Sequence, residues 1–137
     1  MGLSNSKKMI LSEEPISLLE WENLLYEGEK ADRDVYFDYI KSKNLRNSIF
    51  IDNTASSIIS KEYHKYLKNS IGVVTCNKIA CADELKNYKI LKNVSRKFSS
   101  PFLFETNVGA GLPIIDTLNN LIASGDRIIK IQGESTK

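Results

Sequence analysis

The chain has 137 residues, the size of one domain and enough to bury a real core. Its 42% apolar and 26% charged residues sit near the globular average, and a net charge of +2 with lysines mixed among acids leaves no nucleic-acid-binding stripe. No apolar run approaches bilayer length and no signal-peptide layout opens the chain, so a cytoplasmic protein with no membrane or nucleic-acid partner is expected.

In chain order, a short apolar start at Met1–Leu3 followed by Ser4-Asn5-Ser6-Lys7-Lys8 reads as the carboxyl end of a strand. Ser17 with Glu20 has the spacing of a capping box ahead of Leu18, Leu19, Leu24 and Leu25, which predicts a helix starting there. A second helical stretch runs from about Asp32 to Ser42, and Ser48-Ile49-Phe50-Ile51-Asp52 suits a buried strand. From Ser56 to Asn69 the period is helical, with Ile59, Tyr63, Tyr66 and Leu67 on one face.

Gly72 to Cys76 reads as the next strand. A helix from about Asp83 to Ser99 follows, sharing Tyr88, Leu91, Ser95 and Phe98 on a face. Pro101 to Thr106 predicts a strand. Pro113 to Ser124 predicts a helix with proline in its first turn and Gly125 just past its end. Arg127 to Gln132 has the makings of a final strand. Strands separated by single helices imply a parallel sheet, so the fold class is α/β.

Cys76 and Cys81 lie five positions apart without a histidine-rich surrounding and fit reduced thiols better than a zinc site. His64 is the only histidine, which argues against a metal site or a Ser-His-Asp triad built on it; a helical position is expected.

In open parallel sheets, ligands bind beyond the carboxyl ends of the strands. Those ends carry Asn53-Thr54, Asn77-Lys78 and Glu105-Thr106-Asn107. Thr54 and Asn77 fit helix caps equally well. Lys78 can hold a phosphate or carboxylate, or donate a proton, although a lone lysine is more often solvated.

Glu105-Thr106-Asn107-Val108-Gly109-Ala110-Gly111-Leu112-Pro113 is the most unusual segment, because its two glycines permit positive φ and close backbone approach. Such a loop can place an anion at the following helix, hold a hard cation with inward carbonyls and Glu105, or be a purely structural turn. It is not the G-x-G-x-x-G dinucleotide fingerprint, which occurs nowhere in the sequence. At the N-terminus, Lys7 or Lys8 with Ser6 would suit the 2′-phosphate of NADP; an ordinary basic N-terminus fits as well.

The segments Ile51-Asp52-Asn53-Thr54-Ala55-Ser56, Val73-Val74-Thr75-Cys76-Asn77-Lys78, Phe104 to Pro113, Leu121 to Asp126 and Lys130 to Gly133 together resemble homoserine dehydrogenase. The opening Ser4 to Met9 and the helical insert around Trp21 look most like the bifunctional aspartokinase–homoserine dehydrogenases. The resemblance implies an oxidoreductase of threonine and methionine biosynthesis that reversibly reduces L-aspartate 4-semialdehyde to L-homoserine with NADP or NAD, NADP being favoured.

Carried onto this sequence, the family pattern implies cofactor contacts at Asn5, Ser6, Lys7, Asn53, Thr54, Asn77 and Lys78, with Lys78 in proton transfer. It also implies a sodium-like cation held by Glu105 and the carbonyls of Val108, Ala110 and Leu112. A partial Rossmann-like parallel sheet with flanking helices is expected, lacking the first βα unit and running into the catalytic domain. Residues 1–106 would belong to the cofactor domain and 107–137 to the hinge helix and the start of the catalytic and dimerisation domain. The glycine fingerprint and the motif with the substrate-binding acids and a second lysine are absent. Glu134-Ser135-Thr136-Lys137 departs from the family's usual run, and Ala55 replaces its usual serine. The chain alone is therefore expected to be inactive and the protein a homo-oligomer; a non-catalytic interaction or dimerisation module is the alternative.

Overall fold

A computed structural model describes residues 1–133, and the chain divides into two compact units, one spanning Met1–Ser48 and one beginning at Ile49. The Glu134–Lys137 departure and the end of the expected 107–137 region lie outside the described residues.

The first unit is an antiparallel meander of β1 (Gly2–Ser4), β2 (Lys8–Leu11) and β3 (Glu29–Lys30), with Leu3 opposite Ile10. The strand end expected at Ser4–Lys8 is the end of β1 at Ser4, but the strand pairs antiparallel with β2 instead of joining the parallel sheet. Asn5 Oδ1 accepts the backbone N–H groups of Lys7 and Lys8, both at 2.8 Å, and this side-chain turn reverses the chain.

Helix α1 (Trp21–Glu27) begins later than the Ser17-Glu20 pair predicts. Ser17 Oγ accepts only from Leu19 N–H at 3.3 Å, and Glu20 makes no capping bond, so the capping box does not form. Leu18 and Leu19 stay exposed, leaving no buried face to hold a helix there, and α1 instead seats Leu25 against β2. Helix α2 (Arg33–Lys43) matches its expected span. Asp32 caps it by accepting from Asp34 and Val35 N–H, and Asn44 closes it at a left-handed φ of 45°.

The second unit carries the parallel sheet β4 (Ile49–Asp52), β5 (Gly72–Thr75) and β6 (Phe102–Leu103), in that order. The register sets Ile51 beside Val74 and Val74 beside Leu103. Around the sheet run α3 (Ser57–Ser60), α4 (Tyr63–Lys68), α5 (Ile79–Ala82), α6 (Leu85–Lys97) and α7 (Ile114–Ala123). This is a partial Rossmann-like α/β fold, as the strand–helix alternation predicts.

One sheet face forms the core. Phe50 stacks on Tyr66 with ring centroids 4.0 Å apart, while Tyr63 packs against Phe102 and Tyr88 against Phe104. Val73, Leu67 and Leu91 are buried. The alternate side chains of the pleat are largely uncovered, Ile49 being 57% exposed, Ile51 61% and Leu103 55%.

Four further boundaries differ from expectation. The strand expected over Pro101–Thr106 pairs only at Phe102–Leu103, because Glu105–Asn107 turn into a 3-10 helix. The helix expected over 56–69 breaks at Lys61–Glu62, and Tyr63, just past the break, turns fully inward. The helix expected from Asp83 starts at Leu85, because Asp83 spends its carboxylate on Glu84 N–H and the Asn87 amide. Residues 127–132 form no strand; their side chains face water and no described strand pairs with them. Among the described residues no helix is long and apolar enough to cross a membrane.

Candidate functional site

The carboxyl ends of the three parallel strands are tied together by a buried polar cluster. Asp52 ends β4, and the register sets it beside Thr75, which ends β5. Both side chains, with those of Tyr63 and Asn77, belong to residues no more than 3% exposed. A buried carboxylate needs several partners to offset its lost hydration. Asp52 Oδ2 accepts from the Tyr63 hydroxyl at 2.6 Å and from Asn77 Nδ2 at 3.1 Å, and Oδ1 accepts from Thr54 N–H at 2.7 Å. Tyr63 and Thr75 hydroxyls share a further bond at 2.8 Å. Burial, reinforced by the Asp52 carboxylate, holds the Tyr63 phenol far above its ordinary ionisation range.

This cluster aims the loops that follow the strands. With Thr54 N–H fixed, Asn53 and Thr54 are held outward and exposed. Asn77 works as a latch. Its Nδ2 also donates to Ser56 O at 3.0 Å, its Oδ1 accepts from Ile79 N–H at 3.1 Å, and its own N–H donates to Thr75 Oγ1 at 2.9 Å. The next residue, Lys78, stands exposed at the start of α5 with no ion pair among the described residues.

The third strand end joins through Asn107, whose Nδ2 lies 3.5 Å from Asn77 O and whose Oδ1 is buried without a hydrogen-bond partner among the described residues. Glu105 reaches across its loop to α7, where Oε1 accepts from Ile115 N–H at 2.8 Å and Oε2 from Asp116 N–H at 2.7 Å. A carboxylate there satisfies two free helix N–H groups and complements the helix dipole. Gly109 (φ +74°) and Ala110 (φ +51°) make the left-handed turn between them. The Leu112 carbonyl accepts from Ile114 N–H at 2.9 Å, whereas no described backbone group donates to the carbonyls of Val108 and Ala110.

A family model described as the homoserine dehydrogenase NAD-binding domain matches residues 28–105, more than half of the chain and all of the Asp52–Tyr63–Thr75–Asn77 cluster. The chain belongs to the homoserine dehydrogenase family. It is 40% identical over 135 residues to a chloroplastic bifunctional aspartokinase/homoserine dehydrogenase of Arabidopsis thaliana, covering 97% of this chain and 15% of that protein. It is also 40% identical over 121 residues to the homoserine dehydrogenase of Schizosaccharomyces pombe, covering 88% of this chain and 32% of that one. A crystal structure of a Candida auris protein of unknown function superposes with a TM-score of 0.82 at 28% identity, over 90% of this chain and 35% of that chain. The chain thus spans about a sixth to a third of the length of these proteins.

Within this homoserine dehydrogenase segment, the sequence-predicted residues fall into three groups. Asn53, Thr54, Asn77 and Lys78 gather at the ends of β4 and β5. Glu105, Val108, Ala110 and Leu112 share the loop before α7, with Glu105 acting as its cap. Asn5, Ser6 and Lys7 form the β1–β2 turn of the first unit, where Asn5 spends its side-chain oxygen on the turn itself. Sequence reasoning singled out neither Asp52, Tyr63 nor Thr75 as site residues. An acid closing an apolar strand was the available signal; the pairing with Thr75 depends on a register that no local pattern records.

Proposed function

We propose that this homoserine dehydrogenase segment presents the carboxyl ends of β4, β5 and β6 to NADP(H) for the reversible reduction of L-aspartate 4-semialdehyde to L-homoserine. The observation that carries the reading is the buried Asp52–Tyr63–Thr75–Asn77 cluster, which holds Thr54 and Lys78 outward at adjoining strand ends within the matched region. The chain's donors fit a dinucleotide there: exposed amide and hydroxyl groups at Asn53 and Thr54, and at Lys78 an ammonium with no ion pair among the described residues.

When bound, the nicotinamide exchanges the hydride with the substrate carbon. Lys78 gives a proton to the aldehyde oxygen as it becomes the alcohol and takes one back in the reverse direction. Asn77 serves this indirectly, by fixing the backbone from which Lys78 projects. Lys7 with Ser6 favours the NADP 2′-phosphate over the free hydroxyl of NAD. Glu105 and the carbonyls of Val108, Ala110 and Leu112 are proposed to hold a sodium-like monovalent cation. The fit rests on the two carbonyls without a backbone donor and on the second lone pair of each Glu105 oxygen.

Equilibrium dialysis of the chain against NADPH and NADH tests the reading. Saturable binding is expected, tighter for NADPH and weakened about tenfold in Lys78→Ala; absence of saturable binding of either nucleotide overturns it. A second reading, self-association through the sheet, is favoured by the exposed Ile49, Ile51 and Leu103 and by an edge of β4 that no described strand pairs with.

A further inference from the structure

Between Lys8 and Lys30 the sequence holds six glutamates and no lysine, arginine or histidine, in a chain whose net charge is +2. The same stretch leaves large apolar side chains in water: Leu19 is 97% exposed, Tyr26 82% and Leu18 81%. Single exposed apolar residues are ordinary, whereas a group of them beside a groove marks an interaction surface.

Such a groove opens in the first unit. Met1, Leu3, Ile16, Leu18 and Trp21, with Gly2, line a depression of about 220 Å³. That volume lies below the roughly 300 Å³ at which small-molecule sites begin, and it suits a single large apolar side chain. Glu20 and Glu22 flank Trp21, and Glu14 stands two positions before Ile16; all three are exposed. Glu13 is taken by Lys43. Acids at Glu20 and Glu22 also suit the start of α1, where the helix dipole favours them. Glu14 lies outside that turn, and Glu27 sits at the unfavourable end of the helix, so the acidic run is not there to stabilise α1.

The charge selects the occupant. An anionic membrane or a nucleic acid is repelled by this rim. A second copy docked on the same patch about a two-fold axis would bring the two sets of glutamates face to face. We propose that this face of the first unit docks a basic amphipathic helix of a partner protein, with one large apolar side chain in the groove beside Trp21 and lysine or arginine side chains on the Glu14, Glu20 and Glu22 carboxylates. In helix-in-groove recognition the apolar anchor supplies affinity, and the charges set orientation and speed encounter. No residue of the strand-end cluster takes part, so this surface stands or falls independently of the dehydrogenase reading.

Trp21 is the only tryptophan in the chain, so its emission reports on the groove. The whole chain is titrated with a tryptophan-free synthetic helix of leucine and lysine whose leucines share one face. Two controls are a peptide with glutamate in place of lysine and a lysine peptide of scrambled order that has no apolar face. The lysine helix should change Trp21 emission saturably, bind about tenfold or more tighter than either control, and weaken as salt is added. Glu20→Lys with Glu22→Lys, and separately Leu18→Ser, should each weaken it about tenfold with unchanged circular dichroism, because these side chains are exposed. Equal binding of the lysine helix and either control overturns the proposal, as does Leu18→Ser binding like the unmodified chain, or no binding at all. The Ile51→Lys chain should sediment alike with and without Leu18→Ser; a dimer that Leu18→Ser dissolves would make a second copy the occupant and overturn it too.

Discussion

Tyr63 is the side chain on which the strand ends converge, since its hydroxyl meets both the Asp52 carboxylate and Thr75. Tyr63→Phe keeps the ring packing against Phe50 and Phe102 but leaves buried oxygens short of a donor. It should cost about 2 kcal/mol in urea denaturation; a loss below about 0.5 kcal/mol would show the cluster to be loosely held. The same hydroxyl gives a pH signature. Its folded ionisation lies well above the ordinary value of 10.0, raised by burial and then by Asp52. The stabilisation is therefore fully present below pH 10.0 and is lost as pH rises beyond it. Stability of the unmodified chain should fall more steeply above that pH than stability of Tyr63→Phe; part of the slope survives in the variant because burial also raises Tyr36. Parallel slopes would contradict this. Lys78, by contrast, is exposed and has no ion pair among the described residues, so Lys78→Ala should change stability to urea by less than about 0.5 kcal/mol, its effect appearing only in nucleotide affinity.

At the scale of elements, α7 depends on Glu105 for its start. Pro113 precedes the helix without a side-chain cap, and the Glu105 carboxylate takes the Ile115 and Asp116 N–H groups instead. Glu105→Gln removes the charge and one acceptor, costing about 1 kcal/mol, and should speed hydrogen exchange at those two amides several-fold. Unchanged exchange there would mean that the cap is not held in solution. In the same loop Gly109→Ala should destabilise by more than about 1 kcal/mol, because its φ is +74° and the new Cβ would meet Ile114 Cδ1 at 2.4 Å.

These elements also mark where the sequence was readable. Ile49–Asp52 and Gly72–Thr75 announced themselves as apolar β-branched runs, and Pro113 with Gly125 bracketed α7 closely. Where one pattern serves two structures it misled. Ser4-Asn5-Ser6-Lys7 suits both a strand end and an Asx turn, and only pairing of Lys8–Leu11 back onto Gly2–Ser4 decides. The Ser17-Glu20 spacing fails as a cap because nothing buries Leu18 and Leu19. The helical run over 56–69 breaks at Lys61–Glu62, although Tyr63, Tyr66 and Leu67 keep the shared buried face that the period predicts. Asn53, Thr54 and Lys78 were legible as site residues because they sit at strand ends; the cluster beneath them was not, because it is assembled across strands.

For the whole molecule, membership of the homoserine dehydrogenase family rests on a match running from residue 28 to 105. The exposed Ile49, Ile51 and Leu103 face predicts weak association between copies. Sedimentation should show concentration-dependent dimers that Ile51→Lys removes; a clean monomer across the concentration range would count against the sheet as an interface. The most direct test of the central claim, that the strand-end cluster presents a nicotinamide-nucleotide site, is a two-dimensional amide NMR titration of the chain with NADPH. Saturable shifts are expected at Asn53, Thr54, Lys78 and Asn107, reduced in Tyr63→Phe. Saturable binding that leaves those amides unmoved would contradict it.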